Sequence, residues 1–93
     1  MMKMRALDKL GELRTLVLVV ETGSLSAAAR QLRVSPNAVS RRVMQLEAQL
    51  GVKLFNRSTR TLAVTHEGRL LYARARRAIE EIDAAHDEIA NSS

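Results

Sequence analysis

Apolar positions return at helical spacing in four stretches of this chain, and between the third and fourth the rhythm changes. Leu7, Leu10, Leu13 and Val17 stand three, three and four residues apart, which predicts a first helix over about residues 7–21, closed by Gly23. Residues 16–20 of that helix are apolar on every side, more than one core-facing stripe requires. Either the helix is sandwiched inside the domain or its second face meets another subunit. Ser24 then precedes Leu25, Ala28, Ala29 and Leu32, the pattern of a capped helix of about two turns. Val39, Val43, Leu46 and Leu50 follow at four, three and four and define a third helix. Ser35 is a suitable N-cap for it, and Pro36 fits its first position, where a missing N–H has no partner to lose. Gly51 ends it.

The second and third helices are joined by a tight turn. Ala29, Val34 and Val39 stand five residues apart across it. Small Ala29 lets the helices approach, Val34 plugs the turn and Val39 anchors the third helix to the second, the packing logic of a helix-turn-helix. Arg33 stands where such turns often hold glycine, so the turn must avoid a positive φ or tolerate a strained one.

After Gly51 the apolar runs shorten. Residues 53–55 and 62–64 flank a polar, basic stretch over 56–61, which predicts a small β-hairpin placed as a wing beside the third helix. Thr65 caps a last helix over about 66–90, without a full capping box because Gly68 stands where Glu or Gln would be. Leu71, Ala75, Ala78, Ile82, Ala85 and Ile89 form a heptad seam that Ile79 widens. Such a helix is ~37 Å long, more than so small a domain covers. A dimer through this helix is the economical explanation; the alternative, a helix lying across its own domain, leaves the far end of the seam bare. The expected fold is mainly α: a winged helix-turn-helix with a hairpin wing over residues 1–65, and a long C-terminal linker and dimerisation helix over residues 66–93.

With the apolar stripe of the third helix inward, the opposite face carries Asn37, Arg41 and Met44, flanked by Ser40 and Gln45. Ser, Asn, Gln and Arg address both phosphates and base edges in a major groove. Arg42 lies nearer the core edge, where its stem reaches outward toward a phosphate. The wing carries Arg57, Ser58, Thr59 and Arg60, and arginines on a thin loop suit a minor groove. Each feature has a plainer reading, a solvated helix face or a loop that is basic by chance.

Charge shifts that balance. The net charge of +5 conceals an uneven distribution. Residues 1–29 carry +1, residues 30–77 carry +9 (ten Arg and Lys53 against Glu47 and Glu67), and residues 78–93 carry −5. A +9 block over the helix-turn-helix and wing is a footprint for a polyanion, and arginine is the cation suited to phosphate and guanine. Charge alone does not separate nucleic acid from an anionic membrane surface. Phe55 and Tyr72 are the only aromatic residues, too few for the stacking platforms of single-strand binders, which favours duplex DNA over RNA.

Other chemistry is poorly supported. There is no cysteine, hence no disulfide, thiol nucleophile or cysteine-based zinc site. His66 and His86 are twenty residues apart and cannot share a metal without other ligands. No glycine-rich phosphate loop or Gly-x-Ser-x-Gly motif occurs. The acidic residues Glu80, Glu81, Asp83, Asp87 and Glu88 read as a solvated helix face. An enzyme, a metal site and a cofactor are not expected. The apolar run over 16–20 is too short for a membrane span, and the start lacks the pattern of a secretory signal, so a cytoplasmic protein is expected.

Taken in order, Gly23-Ser24-Leu25-Ser26 with Ala28-Ala29, Leu32-Arg33-Val34-Ser35, Ala38-Val39-Ser40, Leu46-Glu47, Leu50-Gly51, Leu54-Phe55-Asn56-Arg57, Arg60, and Thr65 with Gly68 resemble the N-terminal DNA-binding domain of LysR-type transcriptional regulators. The likeness runs from about Leu7 to the end. Two departures stand out: Pro36-Asn37 replaces the Gln-Pro frequent in the family, and Arg42 replaces its usual Gln. The resemblance implies a winged helix-turn-helix whose linker helix mediates dimerisation, with the first helix helping to pack that interface. It also implies an effector domain beyond the linker helix, so the chain reads as the DNA-binding part of a longer regulator.

The combined expectation is a homodimer on an inverted-repeat site in double-stranded DNA, and a larger homo-oligomer if an effector domain is attached. Asn37, Ser40, Arg41 and Gln45 are expected at base edges or adjacent phosphates. Ser35 and Pro36 at the helix start, with Arg30, Arg33 and Arg42, are expected on phosphates. Arg57, Ser58, Thr59 and Arg60 serve the wing, and Val17, Leu71, Ala75, Ala78, Ile79, Ile82, Ala85 and Ile89 the dimer. Two alternatives compete: a helical protein-interaction adaptor using the heptad helix, and a non-specific architectural DNA-binding protein.

Overall fold

The computed structural model describes residues 10–58 and 61–92; Leu7, Thr59 and Arg60 lie outside them. Three helices come first, α1 (Leu10–Thr22), α2 (Leu25–Leu32) and α3 (Pro36–Leu50), then a two-stranded antiparallel hairpin, β1 (Phe55–Arg57) and β2 (Leu62–Val64), and last the long helix α4 (His66–Asn91). The side chains of Ser24, Ser35 and Thr65 cap α2, α3 and α4 by accepting from Ala27 N (3.2 Å), Ala38 N (3.1 Å) and Gly68 N (3.0 Å). Gly23 and Gly51 hold positive φ just after α1 and α3.

The turn of the helix-turn-helix tolerates a positive φ. Arg33 sits in the left-handed region at φ 58°, ψ 44°, and Val34 N–H donates to Ala29 O at 3.1 Å, closing α2 as a glycine would. A non-glycine residue there costs ~1 kcal/mol or more, which the packing of Val34 offsets.

One buried cluster joins the parts. Leu16 and Val19 of α1, Ala28 and Ala29 of α2, Val39, Val43 and Leu46 of α3, and Leu54 and Phe55 at the hairpin base pack together. The other face of α1 is covered too, because Val17 packs on Ala75 and Ile79 of α4 with Leu10, Leu13 and Tyr72 around them. The all-round apolar stretch over 16–20 is thus sandwiched between the helix-turn-helix and α4. Val17, expected at a contact between copies, is covered by its own chain.

Two expected element edges move. Leu50, the last member of the α3 stripe, is 51% exposed, since α3 outruns the helices beneath it. The first strand begins at Phe55 rather than residue 53. Lys53 and Leu54 form a junction instead: Thr65 Oγ1 donates to Lys53 O (2.7 Å), and Thr65 N–H donates to Leu54 O (3.0 Å). The strand register is Phe55↔Val64, Asn56↔Ala63 and Arg57↔Leu62.

The seam of α4 divides. Ala75 and Ile79 are buried and Leu71 half-buried against the chain's own core, whereas Ala78, Ile82, Ala85 and Ile89 are exposed. Two polar links fasten α4 to α1: Tyr72 Oη donates to Glu21 Oε2 (2.9 Å), and Arg14 Nη2 donates to Asp83 Oδ1 (2.7 Å). The Arg14 hydrogen bond holds the Asp83 carboxyl below its ordinary range. From Glu80 onward every described residue of α4 is exposed.

Candidate nucleic-acid interface

The exposed side of α3 is set by the burial of the other side. Val39, Val43 and Leu46 fix the inward face, so Asn37, Arg41, Met44, Gln45 and Ala48 are left outward, all exposed. Ser35 and Pro36 stand exposed at the helix start, and the Ser35 hydroxyl, having accepted from Ala38 N, keeps its proton to donate. Arg30 and Arg33 are exposed on the last turn of α2 and at its cap. Together with Arg41 they give this end of the domain a cationic surface.

Arg42 goes elsewhere. Its Nη1 donates to Thr15 Oγ1 at 3.3 Å, and that fully buried threonine donates to Gly11 O at 2.9 Å. The expected outward reach to a phosphate is replaced by a link from α3 to α1, because the half-buried stem of Arg42 lies over the α1 surface and Thr15 offers an acceptor there.

The wing meets α3 at two points. Arg57 Nη1 donates to Ser40 Oγ at 3.0 Å, so the first wing arginine and one residue of the expected reading face are joined to each other. Two turns further on, Glu47 is buried and its Oε2 accepts from Leu54 N (2.8 Å) and Phe55 N (3.3 Å). A carboxylate in a basic region thereby supplies the acceptor that two buried amides need. Sequence reasoning gave Glu47 no role. The available signal was its place on the apolar stripe, four residues after Val43 and three before Leu50.

Beyond β1, Ser58 N–H donates to Thr61 O (3.0 Å), and the two hydroxyls lie 2.8 Å apart, tightening the wing turn. Gly68 marks the wing's other support. A Cβ there would collide with the backbone carbonyl of Leu54 and come within 2.8 Å of Val64 Cγ1, so the departure from a capping box reflects the closeness of α4 to the hairpin.

Among the described residues no group of three or more His, Cys, Asp or Glu side chains is placed to hold a metal ion. Nor is any helix of the described residues long and apolar enough to cross a membrane.

Residues 10–69 match the family model described as bacterial regulatory helix-turn-helix protein, lysR family. The HTH-type transcriptional regulator CrgA of Neisseria meningitidis is 50% identical over 78 residues, covering 84% of this chain and 26% of CrgA. The HTH-type transcriptional activator AaeR of Escherichia coli is 41% identical over 83 residues, covering 89% of this chain and 27% of AaeR. The chain therefore spans about a quarter of the length of these curated relatives. Among solved structures, the CbnR DNA-binding domain in complex with DNA superposes with a TM-score of 0.80 at 34% identity, over 87% of this chain and 93% of that one. The BenM DNA-binding domain on benA site 1 DNA gives 0.79 at 32% identity, over 90% and 98%.

Proposed function

The chain belongs to the LysR family of bacterial regulatory helix-turn-helix proteins, and from that premise we propose that it is the DNA-binding portion of a transcriptional regulator, reading duplex DNA as a homodimer in the bacterial cytoplasm. The observation that carries this is the outward face of α3. Asn37, Arg41 and Gln45 stand exposed there, and the wing is locked beside them through Ser40–Arg57 and Glu47. A rigid helix with polar forks on its free side and a basic hairpin alongside has the shape and charge to enter a major groove while the wing addresses the adjacent minor groove.

In this reading Asn37, Arg41 and Gln45 meet base edges, and Ser35, Arg30 and Arg33 hold phosphates. Arg57, Ser58, Thr59 and Arg60 form the wing contact. Residues 1–65 act as the reading head and residues 66–93 as the dimerisation helix. The bare positions Ala78, Ile82, Ala85 and Ile89 meet a second copy of α4. Arg69, Arg74, Arg76 and Arg77 crowd the first half of that helix and Glu80, Glu81, Asp83, Asp87 and Glu88 the second, so two copies match charge when they run antiparallel. That two-fold arrangement demands an inverted repeat with half-sites separated by one or more turns of ~34 Å. Nothing in the described site has the donor set of an enzyme, and the named relatives are regulators.

Fluorescence anisotropy on the DNA upstream of the chain's own gene, against a scrambled duplex at two salt concentrations, tests the proposal. Preference for the native duplex with steep weakening by salt is the expected outcome. Equal binding to both duplexes identifies an architectural protein, and absence of binding at low salt hands the function to the adaptor reading.

A further inference from the structure

The middle of the outward face of α3 is apolar. In helical projection Met44 lies between Ser40 and Asn37 on one side and Arg41 on the other, and it is 55% exposed. Its thioether is nonetheless held. The Ser40 hydroxyl donates to Met44 Sδ at 3.9 Å and accepts from Arg57 Nη1 at 3.0 Å, so one hydroxyl joins the wing arginine to the sulfur. Met44 also lines the cleft between α3 and the hairpin, with Glu47, Lys53, Phe55, Asn56 and Arg57. Lys53 and Arg57 flank it on the wing side and Arg41 on the other.

An apolar tip framed by three cations fits a partner that offers small apolar groups among dense negative charge. Duplex DNA has one such group in its major groove, the C5-methyl of thymine, with phosphates on either side. We infer that Met44 is a specificity-determining residue that packs on a thymine methyl, and that Ser40 and Arg57 are positioning residues that hold its thioether in place. This rests on the reading of α3 as the major-groove helix. It reassigns Ser40, whose hydroxyl is engaged by Arg57 and Met44 rather than aimed at a base.

The test uses the whole chain and a duplex selected by it from a randomised pool. Each thymidine of the recovered sequence is replaced in turn by deoxyuridine, which keeps every base pair and groove acceptor and loses only the methyl. One thymine per half-site is expected to show about fourfold weaker binding after replacement, the worth of one buried methyl group. Met44→Ala should bind the thymine and uracil forms equally. Ser40→Ala should narrow the difference while leaving the salt dependence unchanged, a pattern that loss of a phosphate contact would not give. A flat uracil scan with the unaltered chain, or a difference that persists in full in Met44→Ala, overturns the inference while leaving DNA reading intact. Failure to enrich any duplex overturns the DNA reading itself and this inference with it.

Discussion

Arg41 and Arg42 are adjacent in sequence and about 100° apart around α3, and that rotation separates two roles. Arg41 is exposed on the reading face, whereas Arg42 is drawn back to Thr15. Arg41→Ala should therefore weaken binding to the specific duplex by ~1–3 kcal/mol and relax base preference at one position. An equal loss on random DNA would demote Arg41 to a phosphate contact. Arg42→Ala should act on the fold, lowering the urea midpoint by an amount equivalent to ~0.5–1.5 kcal/mol, with the salt dependence of binding unaltered. A reduced salt slope would return Arg42 to the phosphates. Periodicity placed Arg42 at the core edge correctly, but its partner lies 27 residues away on another helix. No spacing rule names such a partner. Arg33 is the converse case: its awkward place was legible as a choice between two backbone conformations, and packing at Val34 selected the strained one.

At the scale of elements, the wing is stable only because its neighbours hold it. A hairpin with three residues in each strand has little stability of its own. Glu47 supplies an acceptor to its base, Thr65 binds the Lys53 and Leu54 carbonyls, and Gly68 lets α4 lie against Leu54. Inside a helix, glycine to alanine normally stabilises by up to ~1 kcal/mol. Here Gly68→Ala should destabilise instead, by ~1–3 kcal/mol, because the added methyl has the Leu54 carbonyl in its way. A urea titration decides the sign, and a rise in stability would mean that the hairpin yields freely. The helices themselves were readable from caps and periods, since each cap acts within three residues of sequence. The junction at residues 53–54 was not, because what removes it from the strand is a carboxylate on α3 and a hydroxyl at the start of α4. A short apolar run carries no record of those partners.

For the whole molecule the open question is what covers the far half of α4. At ~1.5 Å per residue its 26 residues extend ~39 Å, and α1 covers only the part up to the Arg14–Asp83 link. The sequence showed one apolar seam; the structure divides it, with Ala75 and Ile79 against the chain's own α1 and Ile82 and Ile89 bare at 42% and 74% exposure. That division makes a clean test of assembly possible. Ile82 contributes little to the single chain's core, so Ile82→Glu should leave the thermal midpoint of the folded domain nearly unchanged. In the proposed antiparallel pair, however, it buries a carboxylate opposite an apolar partner near the two-fold axis, which is costly without a cation to meet it. Sedimentation should then report monomers at concentrations where the unaltered chain is a dimer. Affinity for a two-half-site duplex should fall toward that for a single half-site, because the second contact no longer benefits from being tethered. Ile79→Glu is the contrast: it places the same charge in the buried contact with Val17 and should unfold the attachment of α4 itself. A dimer of Ile82→Glu as stable as the unaltered one would show that the pairing surface lies elsewhere on α4.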